Sequence, residues 1–309
     1  MSASASADVV ATVGHTPLVE LARLARGLPG RLLAKLENRN PGGSIKDRLA
    51  VALIDDAEQR EVLRPGMTIV EPTGGNTGVG LAVVAAVRGY RLVLTMPEAM
   101  SVERVALLRQ LGAEVVLTAG ILMGDAVDAA RRLVEARHDA IMLDQFSNPA
   151  NAEIHRRTTA VEIWEDSGGA IDVFVSAVGT GGTITGVGEG LKRRNAQIRV
   201  VAVEPAGSAL LSGGKAGPHQ MPGIGVGFIP QILNRAILDE IFVVTDEEAF
   251  SCARRLAREE GIVAGVSSGA AVHAALRIAA RPESEGAVVV AIIPDTGERY
   301  ITTALFEHG

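Results

Sequence analysis

The chain has 309 residues, with 30 Lys and Arg against 36 Asp and Glu, which gives a formal net charge of −6. Hydrophobic residues make up 47% of the sequence, charged residues make up 21%, and there is a single cysteine. This balance excludes a disordered chain and a disulfide framework, and the length predicts about two globular domains.

Strand-like and helix-like segments alternate along most of the chain. The predicted strands are short runs rich in Val, Ile and Leu, at 31–36, 68–70, 90–95, 114–117, 171–177, 199–203 and 287–293. The predicted helices lie at 44–53, 79–88, 102–111, 125–136, 184–194 and 246–260. Continuous apolar strands are typical of a parallel sheet with helices on both faces. The sequence therefore predicts an α/β fold with two domains, 40–147 and 1–39 plus 148–309.

Glycine is frequent, with 35 residues, and two glycine clusters fall between a predicted strand and a predicted helix, at 71–78 and 179–183. The N–H groups and the positive dipole end of a helix start form an anion site, and glycines let the backbone close on the ligand. At 179–183 the third glycine of G-x-G-x-x-G is missing, and no G-x-x-x-x-G-K-[ST] occurs. We therefore expect one compact phosphate at 179–183, with a tight structural turn as the alternative.

A lysine lies in an unusual place at the start of the first long predicted helix. Ser44 is a suitable N-cap and Asp47 completes a capping-box pattern, so Lys46 falls in the first turn. The helix dipole disfavours a cation there. Lys46 is either an exposed lysine that tolerates this small cost or an amine poised to form a Schiff base. A phosphate site and such a lysine together indicate pyridoxal 5'-phosphate.

Five segments carry a family resemblance, namely 40–48, 73–78, 145–149, 179–183 and 223–228. In this order and spacing they resemble the O-acetylserine sulfhydrylases (cysteine synthase A type), which are fold-type II pyridoxal-phosphate enzymes related to the tryptophan synthase β subunit. The resemblance covers nearly the whole chain. It implies two three-layer domains with parallel or mixed sheets. Residues 40–147 would form the smaller, mobile substrate-binding domain, and 1–39 plus 148–309 the larger domain that binds the cofactor phosphate.

The resemblance also implies roles for single residues of the cofactor site. Lys46 would form the Schiff base and remove the substrate α-proton, Asn76 would bind the phenolic oxygen of the cofactor, and Ser267 would face its pyridine nitrogen. The residues that would surround the phosphate are Gly179, Thr180, Gly181, Gly182 and Thr183.

The implied substrate site lies mainly in the segment 73–78. The residues that would bind the substrate carboxylate are Thr73, Gly75, Thr77 and Gln145. Gly74 belongs to the same loop but stands where this family usually has serine, so one hydroxyl near the carboxylate is absent. Gly223 lies in the segment that lines the active-site entrance in this family.

The activity that the resemblance implies is β-replacement. O-Acetyl-L-serine and sulfide would give L-cysteine and acetate, through a Schiff base on Lys46 and an α-aminoacrylate intermediate. The family further implies a homodimer and, as a partner, the C-terminal peptide of serine acetyltransferase.

Cellular location and other partners are predicted from the rest of the sequence. Residues 1–10 do not resemble a secretory signal, and the longest apolar runs have seven residues, far fewer than the ~20 of a membrane span. Basic residues occur as short pairs such as Arg131-Arg132, and the six histidines lack metal-binding spacing. We expect a cytoplasmic protein that binds no membrane, nucleic acid or metal.

Several alternatives stay open from the sequence. Within the family, the chain could act like a cystathionine β-synthase or use O-phosphoserine as the donor. Outside it, Gly265–Gly269 matches G-x-S-x-G of serine hydrolases, with Ser267, Asp295 and His308 in the order of that fold. The strand that should precede such a serine is short here, which disfavours a hydrolase. A third class, a non-catalytic phosphate-binding module, is disfavoured by Lys46.

Overall fold

The computed structural model describes residues 5–120 and 123–307. The strands are β1 (Leu18–Glu20), β2 (Arg31–Leu36), β3 (Thr68–Pro72), β4 (Arg91–Pro97), β5 (Glu114–Thr118), β6 (Ala140–Ile141), β7 (Val173–Ala177), β8 (Arg199–Pro205), β9 (Glu240–Val244) and β10 (Val288–Ile293). The helices are α1 (Lys46–Gln59), α2 (Asn76–Arg88), α3 (Val102–Gln110), α4 (Met123–Glu135), α5 (Ala150–Ile154), α6 (Ala160–Asp166), α7 (Gly182–Lys192), α8 (Asp246–Glu260) and α9 (Val266–Ala279). A π-helical turn, His155–Thr159, lies between α5 and α6.

The chain divides into two compact units. Unit 1 contains the described part of Met1–Val13 together with Asn40–Ala150. Unit 2 contains Gly14–Arg39 and the described residues from Asn151 onward. Unit 1 therefore includes residues ahead of position 14, which the sequence had assigned to the other domain. The roles and the mobility expected of the two domains stay predictions.

Unit 1 is built on a parallel sheet with the strand order β5-β4-β3-β6. All five residues of β3 are buried, including Thr68 and Glu71 beside the apolar Ile69 and Val70. Alternate side chains of a strand point to opposite faces of the sheet. Ile69 and Leu94 accordingly pack in a core with α1 and α2, whereas Val70 and Val93 pack with Ala130 of α4. Helices thus cover both faces of the sheet, and the carboxyl end of β3 leads directly into α2.

Unit 2 is built on a six-stranded sheet with the order β1-β2-β10-β7-β8-β9. β1 is antiparallel to β2, and the other neighbouring pairs are parallel. Val175, Val203 and Ile293 pack in one core with the apolar faces of α8 and α9. The predicted α/β fold class with parallel and mixed sheets is confirmed. The carboxyl end of β7 leads through a glycine loop into α7, at the edge where parallel sheets bind ligands.

Part of the predicted capping box is observed at the start of α1. The Ser44 hydroxyl accepts a hydrogen bond from the Lys46 backbone N–H at 3.2 Å, as an N-cap side chain does, and Ile45 already has helical φ and ψ. The Asp47 carboxylate instead accepts the backbone N–H of Gly42 at 2.6 Å. The reason is Gly43, whose φ of 76° lets the preceding loop fold back over the helix start.

Candidate active site

Lys46 is the first residue of α1 and is half-buried. A Cβ atom at Gly80 of α2 would lie 2.8 Å from the Lys46 carbonyl oxygen. Only glycine at position 80 therefore lets α2 approach α1 this closely. The contact fixes the backbone of Lys46 while its side chain extends from the first helical turn.

The loop between β3 and α2 brings together several predicted substrate residues. The Thr73 hydroxyl accepts the Gly75 backbone N–H at 3.2 Å, and Asn76 is the first residue of α2. Gly75 is the N-cap of this helix and has no side chain to bind the N–H groups of the first turn. An anion such as a carboxylate can take the place of a capping side chain there.

Gln145 is held against the start of α2 by a buried hydrogen bond. The Thr77 hydroxyl donates to Gln145 Oε1 at 2.7 Å, and both side chains are nearly inaccessible to solvent. This orientation presents the amide nitrogen of Gln145 as a donor. The structure thus brings together Thr77 and Gln145, which are far apart in the sequence, in the way that a carboxylate site requires.

Gly74 lies against Met100, which follows β4. A Cβ atom at position 74 would be 2.5 Å from the Met100 sulfur and 2.8 Å from its Cγ. The Met100 side chain therefore occupies the space that a serine side chain would need. The loop between β3 and α2 therefore has a thioether beside position 74, where a serine would supply a hydroxyl.

The loop before α7 is closed by backbone and by Asn151. Gly181, with φ 85°, is the N-cap of α7 and offers no capping side chain. A Cβ atom at Gly179 would overlap the Gly223 carbonyl oxygen, and one at Gly182 would overlap the Asn151 side chain. The helix start therefore has no capping side chain and is tightly packed by the Gly223 carbonyl and Asn151, features that suit a phosphate site.

Two residues that the sequence reasoning missed hold the threonines of this loop. Asn151 donates from its amide nitrogen to the Thr180 hydroxyl at 3.0 Å. His155, which is buried, lies 3.2 Å from the Thr183 hydroxyl through Nε2 and 2.9 Å from the Thr159 hydroxyl through Nδ1. The available signal was their i, i+4 spacing, which puts two polar side chains on one helical face.

The segment around Gly223 is tied to the same loop. The Gly223 carbonyl lies against Gly179, and the backbone N–H of Gly225 donates to the Val178 carbonyl at 3.1 Å. Gly223 itself is exposed and has a φ of 86°. The predicted entrance segment and the predicted phosphate loop are thus joined through the backbone.

Ser267 lies in the first turn of α9 and is buried, and its neighbour Ser268 has a buried hydroxyl without a hydrogen-bond partner. The residues between α8 and α9 form only an isolated bridge at Ala264 and no strand, so the strand-to-helix elbow of a hydrolase is absent from this described stretch. The Asp295 carboxylate accepts the Tyr300 hydroxyl, and His308 lies outside the described residues. The geometry does not support a catalytic triad.

Glu71, near the end of β3, is a second group that the sequence reasoning missed. Burial raises the pKa of this carboxyl to about 7, although the backbone N–H groups of residues 143–145 act in the opposite direction. The available signal was a lone carboxylate that directly follows the apolar Ile69 and Val70.

The donor set of these residues fits pyridoxal phosphate. An open helix start with glycines suits its phosphate, a serine hydroxyl suits a ring nitrogen, and the Lys46 amine suits its aldehyde. Across residues 5–120 and 123–307, no group of His, Cys, Asp and Glu side chains is arranged to hold a metal ion. None of the helices in this described part of the chain is both long and apolar enough to span a bilayer.

Comparison with known proteins agrees with this chemistry. The family described as pyridoxal-phosphate dependent enzyme matches residues 9–295. The chain is 51% identical over 305 residues to cysteine synthase A of Escherichia coli (strain K12), covering 96% of this chain and 94% of that protein. The cysteine synthase structure from Entamoeba histolytica matches with a TM-score of 0.96 at 42% identity, covering 100% of this chain and 94% of the other. O-Ureido-L-serine synthase matches with a TM-score of 0.94 at 45% identity, covering 98% and 96%. The resemblance indicated by the sequence motifs is confirmed.

Proposed function

Because the chain belongs to the family of pyridoxal-phosphate-dependent enzymes, we propose that it is a cysteine synthase, which makes L-cysteine and acetate from O-acetyl-L-serine and sulfide. The observation that carries the proposal is a pair of helices that begin at glycine N-caps without a capping side chain. The start of α7 suits a phosphate closely surrounded by backbone. The start of α2, beside Thr77 and Gln145, suits an amino-acid carboxylate.

The cofactor residues would act as follows. Pyridoxal phosphate, when bound, withdraws electrons from the α-carbon of an amino acid and so makes its α-proton acidic. Lys46 would bind the cofactor through Nζ, Asn76 would donate to its phenolic oxygen, and Gly179–Thr183 would hold its phosphate. Ser267 would hydrogen-bond the pyridine nitrogen without protonating it, since a hydroxyl is a much weaker acid than a ring cation. That choice favours β-elimination over transamination or racemisation.

The substrate residues would bind and orient the amino acid. Thr73, Gly75, Thr77 and Gln145 would hold its carboxylate, and Lys46 Nζ would take up the α-proton as acetate leaves the β-carbon. Sulfide then forms the new bond to that β-carbon, and Lys46 Nζ returns a proton to the α-carbon. The two half-reactions predict ping-pong kinetics. Gly223 would lie at the entrance through which acetate leaves.

Three neighbouring activities define the test. A cystathionine β-synthase-like enzyme would use homocysteine as the acceptor, and a phosphoserine-using enzyme would accept O-phosphoserine as the donor. The similarity to O-ureido-L-serine synthase adds hydroxyurea, whose oxygen would bond to the same β-carbon. Steady-state rates for O-acetylserine, O-phosphoserine and serine, each with sulfide, homocysteine and hydroxyurea, separate them. We expect O-acetylserine with sulfide to have the highest kcat/KM; if this pair makes no cysteine, the proposal is wrong.

Assembly and location complete the proposal. We propose a cytoplasmic homodimer whose substrate cleft also binds the C-terminal peptide of serine acetyltransferase. Light scattering on the purified protein tests the dimer. Titration of the peptide against cofactor fluorescence tests the second partner, and an unchanged signal at high peptide concentration would count against it.

A further inference from the structure

Glu71 is a buried carboxylate that the proposed reaction does not use. Its side chain is 1% exposed and lies at the fourth position of β3. Glu71 Oε2 accepts the backbone N–H groups of Leu143 at 3.1 Å and Asp144 at 3.3 Å, and Oε1 accepts that of Gln145 at 3.4 Å. One side chain thus binds three consecutive backbone donors from another part of unit 1.

These bonds replace a strand ladder. β6 pairs with β3 only through Ala140 and Ile141, opposite Thr68 and Ile69. Beyond Ile141 the chain leaves the sheet, and the N–H groups of residues 143–145 bind the Glu71 side chain instead of β3 backbone. Because buried N–H groups need acceptors, Glu71 determines where this segment turns away from the sheet.

The turn itself has an unfavourable backbone conformation. Asp144 has a φ of 55°, which residues other than glycine seldom adopt. Its carboxylate accepts the Phe146 backbone N–H and the Ser147 hydroxyl. Those bonds stabilise the turn locally, whereas the bonds to Glu71 connect it to the sheet.

Gln145 is the residue that this connection positions. Its backbone N–H is bound to Glu71 on β3, and its side chain is bound to Thr77 on α2. We propose that Glu71 is a positioning residue that sets the place of the Gln145 amide and, through it, the affinity for the substrate carboxylate. The inference rests on the proposed function for the role of Gln145, while the connection between Glu71 and residues 143–145 is independent of it.

The test compares Glu71→Gln with Glu98→Gln. The amide in Glu71→Gln keeps the shape of the glutamate side chain but turns an N–H donor toward the buried N–H groups of residues 143–145. Glu98 is an exposed carboxylate of the same unit that accepts one backbone N–H, from Gly120, and serves as the matched control. For Glu71→Gln we expect amide hydrogen exchange at residues 143–145 to accelerate about tenfold or more, and KM for O-acetyl-L-serine to rise about tenfold or more. We expect kcat and pyridoxal-phosphate content to stay near wild type, and Glu98→Gln to change none of these quantities.

A double-mutant cycle asks whether Glu71 acts through Gln145. In a Gln145→Ala background, Glu71→Gln should still accelerate exchange but should raise KM no further. An additive rise in KM, or faster exchange with unchanged KM, would overturn the positioning role. If the Glu71→Gln variant does not fold, amide exchange in the wild-type protein is the test. Slow exchange at residues 143–145 supports their connection to Glu71, and exchange as fast as in exposed loops overturns it. Failure of the wild type to use O-acetyl-L-serine would contradict the proposed function and leave the exchange result intact.

Discussion

The loops that precede α2 and α7 look alike in sequence but differ in what surrounds their glycines. At Gly179, before α7, an added Cβ would overlap a backbone carbonyl, that of Gly223. At Gly75, before α2, the nearest atom to such a Cβ is 4.0 Å away, and at Gly74 the neighbour is only the flexible Met100 side chain. A side chain at Gly179, before α7, therefore requires backbone to move, whereas one at Gly74, before α2, requires only that the Met100 side chain rotates.

This difference separates two kinds of anion site. A loop packed on backbone keeps its N–H groups in one geometry, which suits a ligand that is the same in every turnover. A loop packed on side chains can gain or lose a group without refolding, which suits the part of a site that distinguishes substrates. We therefore expect substitutions before α7 to affect cofactor retention and substitutions before α2 to affect substrate affinity.

The largest expected effect comes from Lys46→Ala. Removal of the amine should lower turnover about a thousandfold or more, because in the proposed reaction this one group both binds the cofactor and moves the proton. The open start of α7 should still retain pyridoxal phosphate without a covalent bond. The measurements are the rate of cysteine formation and cofactor content after gel filtration.

The labelling control for this variant uses the other lysines. Borohydride reduction of the wild type should attach the cofactor to Lys46 and not to Lys35, Lys192 or Lys215, as read by peptide mass spectrometry. A Lys46→Ala enzyme that kept its turnover would exclude the assignment.

The next effect concerns the pH dependence of stability, because the segment 143–145, which contacts α2 through Gln145, is bound by the buried carboxyl group of Glu71. Burial raises the pKa of Glu71 from 4.5 to about 7. A folded-state pKa above the unfolded value gives stability at low pH that is lost as the pH rises toward and through about 7. From about pH 5 to about pH 8, the wild type should lose about 2.5 kcal/mol of unfolding free energy relative to Glu71→Gln. Urea unfolding of both proteins at the two pH values measures this, and parallel pH curves would contradict it.

Gly179→Ala tests the loop before α7. The methyl group would force the Gly223 carbonyl to move, at a cost of about 1–3 kcal/mol. The affinity of the apoenzyme for pyridoxal phosphate should therefore fall about ten- to a hundredfold. Fluorescence titration with the cofactor measures it. Gly124→Ala, where a Cβ would meet open space, is the control, and equal affinities of the two variants would refute the rigid-loop explanation.

The sequence-based prediction succeeded where the pattern is local. β10 was expected because it is a continuous apolar run, and β3 was expected at 68–70, although the strand extends to Pro72 and so includes Glu71. β1, β6 and β9 were missed because β1 and β6 have only three and two residues, and most of β9 is half-exposed. Short or edge strands lack the periodic signal on which such predictions depend.

The site was predictable to the same extent. Glycines at a strand-to-helix junction are visible in the sequence, so the loops before α2 and α7 could be expected. The partners of Asn151 and Glu71 could not be predicted, because each binds residues brought near only by folding, Thr180 in one case and residues 143–145 in the other. The bond from the Gly42 N–H to Asp47 was missed for a related reason, since it depends on the turn at Gly43.

Gly74→Ser should have the smallest effect and tests the loop before α2 most directly. The serine Cβ would lie 2.5 Å from the Met100 sulfur, so the Met100 side chain must rotate, at a cost of about 1 kcal/mol or less. The added hydroxyl should lower KM for O-acetyl-L-serine about two- to threefold through one more hydrogen bond, with cofactor affinity unchanged. The double variant Gly74→Ser, Met100→Ala removes the clash and should keep the lower KM, and Gly124→Ser controls for serine in open space. If Gly74→Ser instead lowered cofactor affinity as much as Gly179→Ala does, the two loops would not differ in rigidity. The Met100 thioether beside Gly74 would then constrain the backbone as firmly as the carbonyl beside Gly179 does.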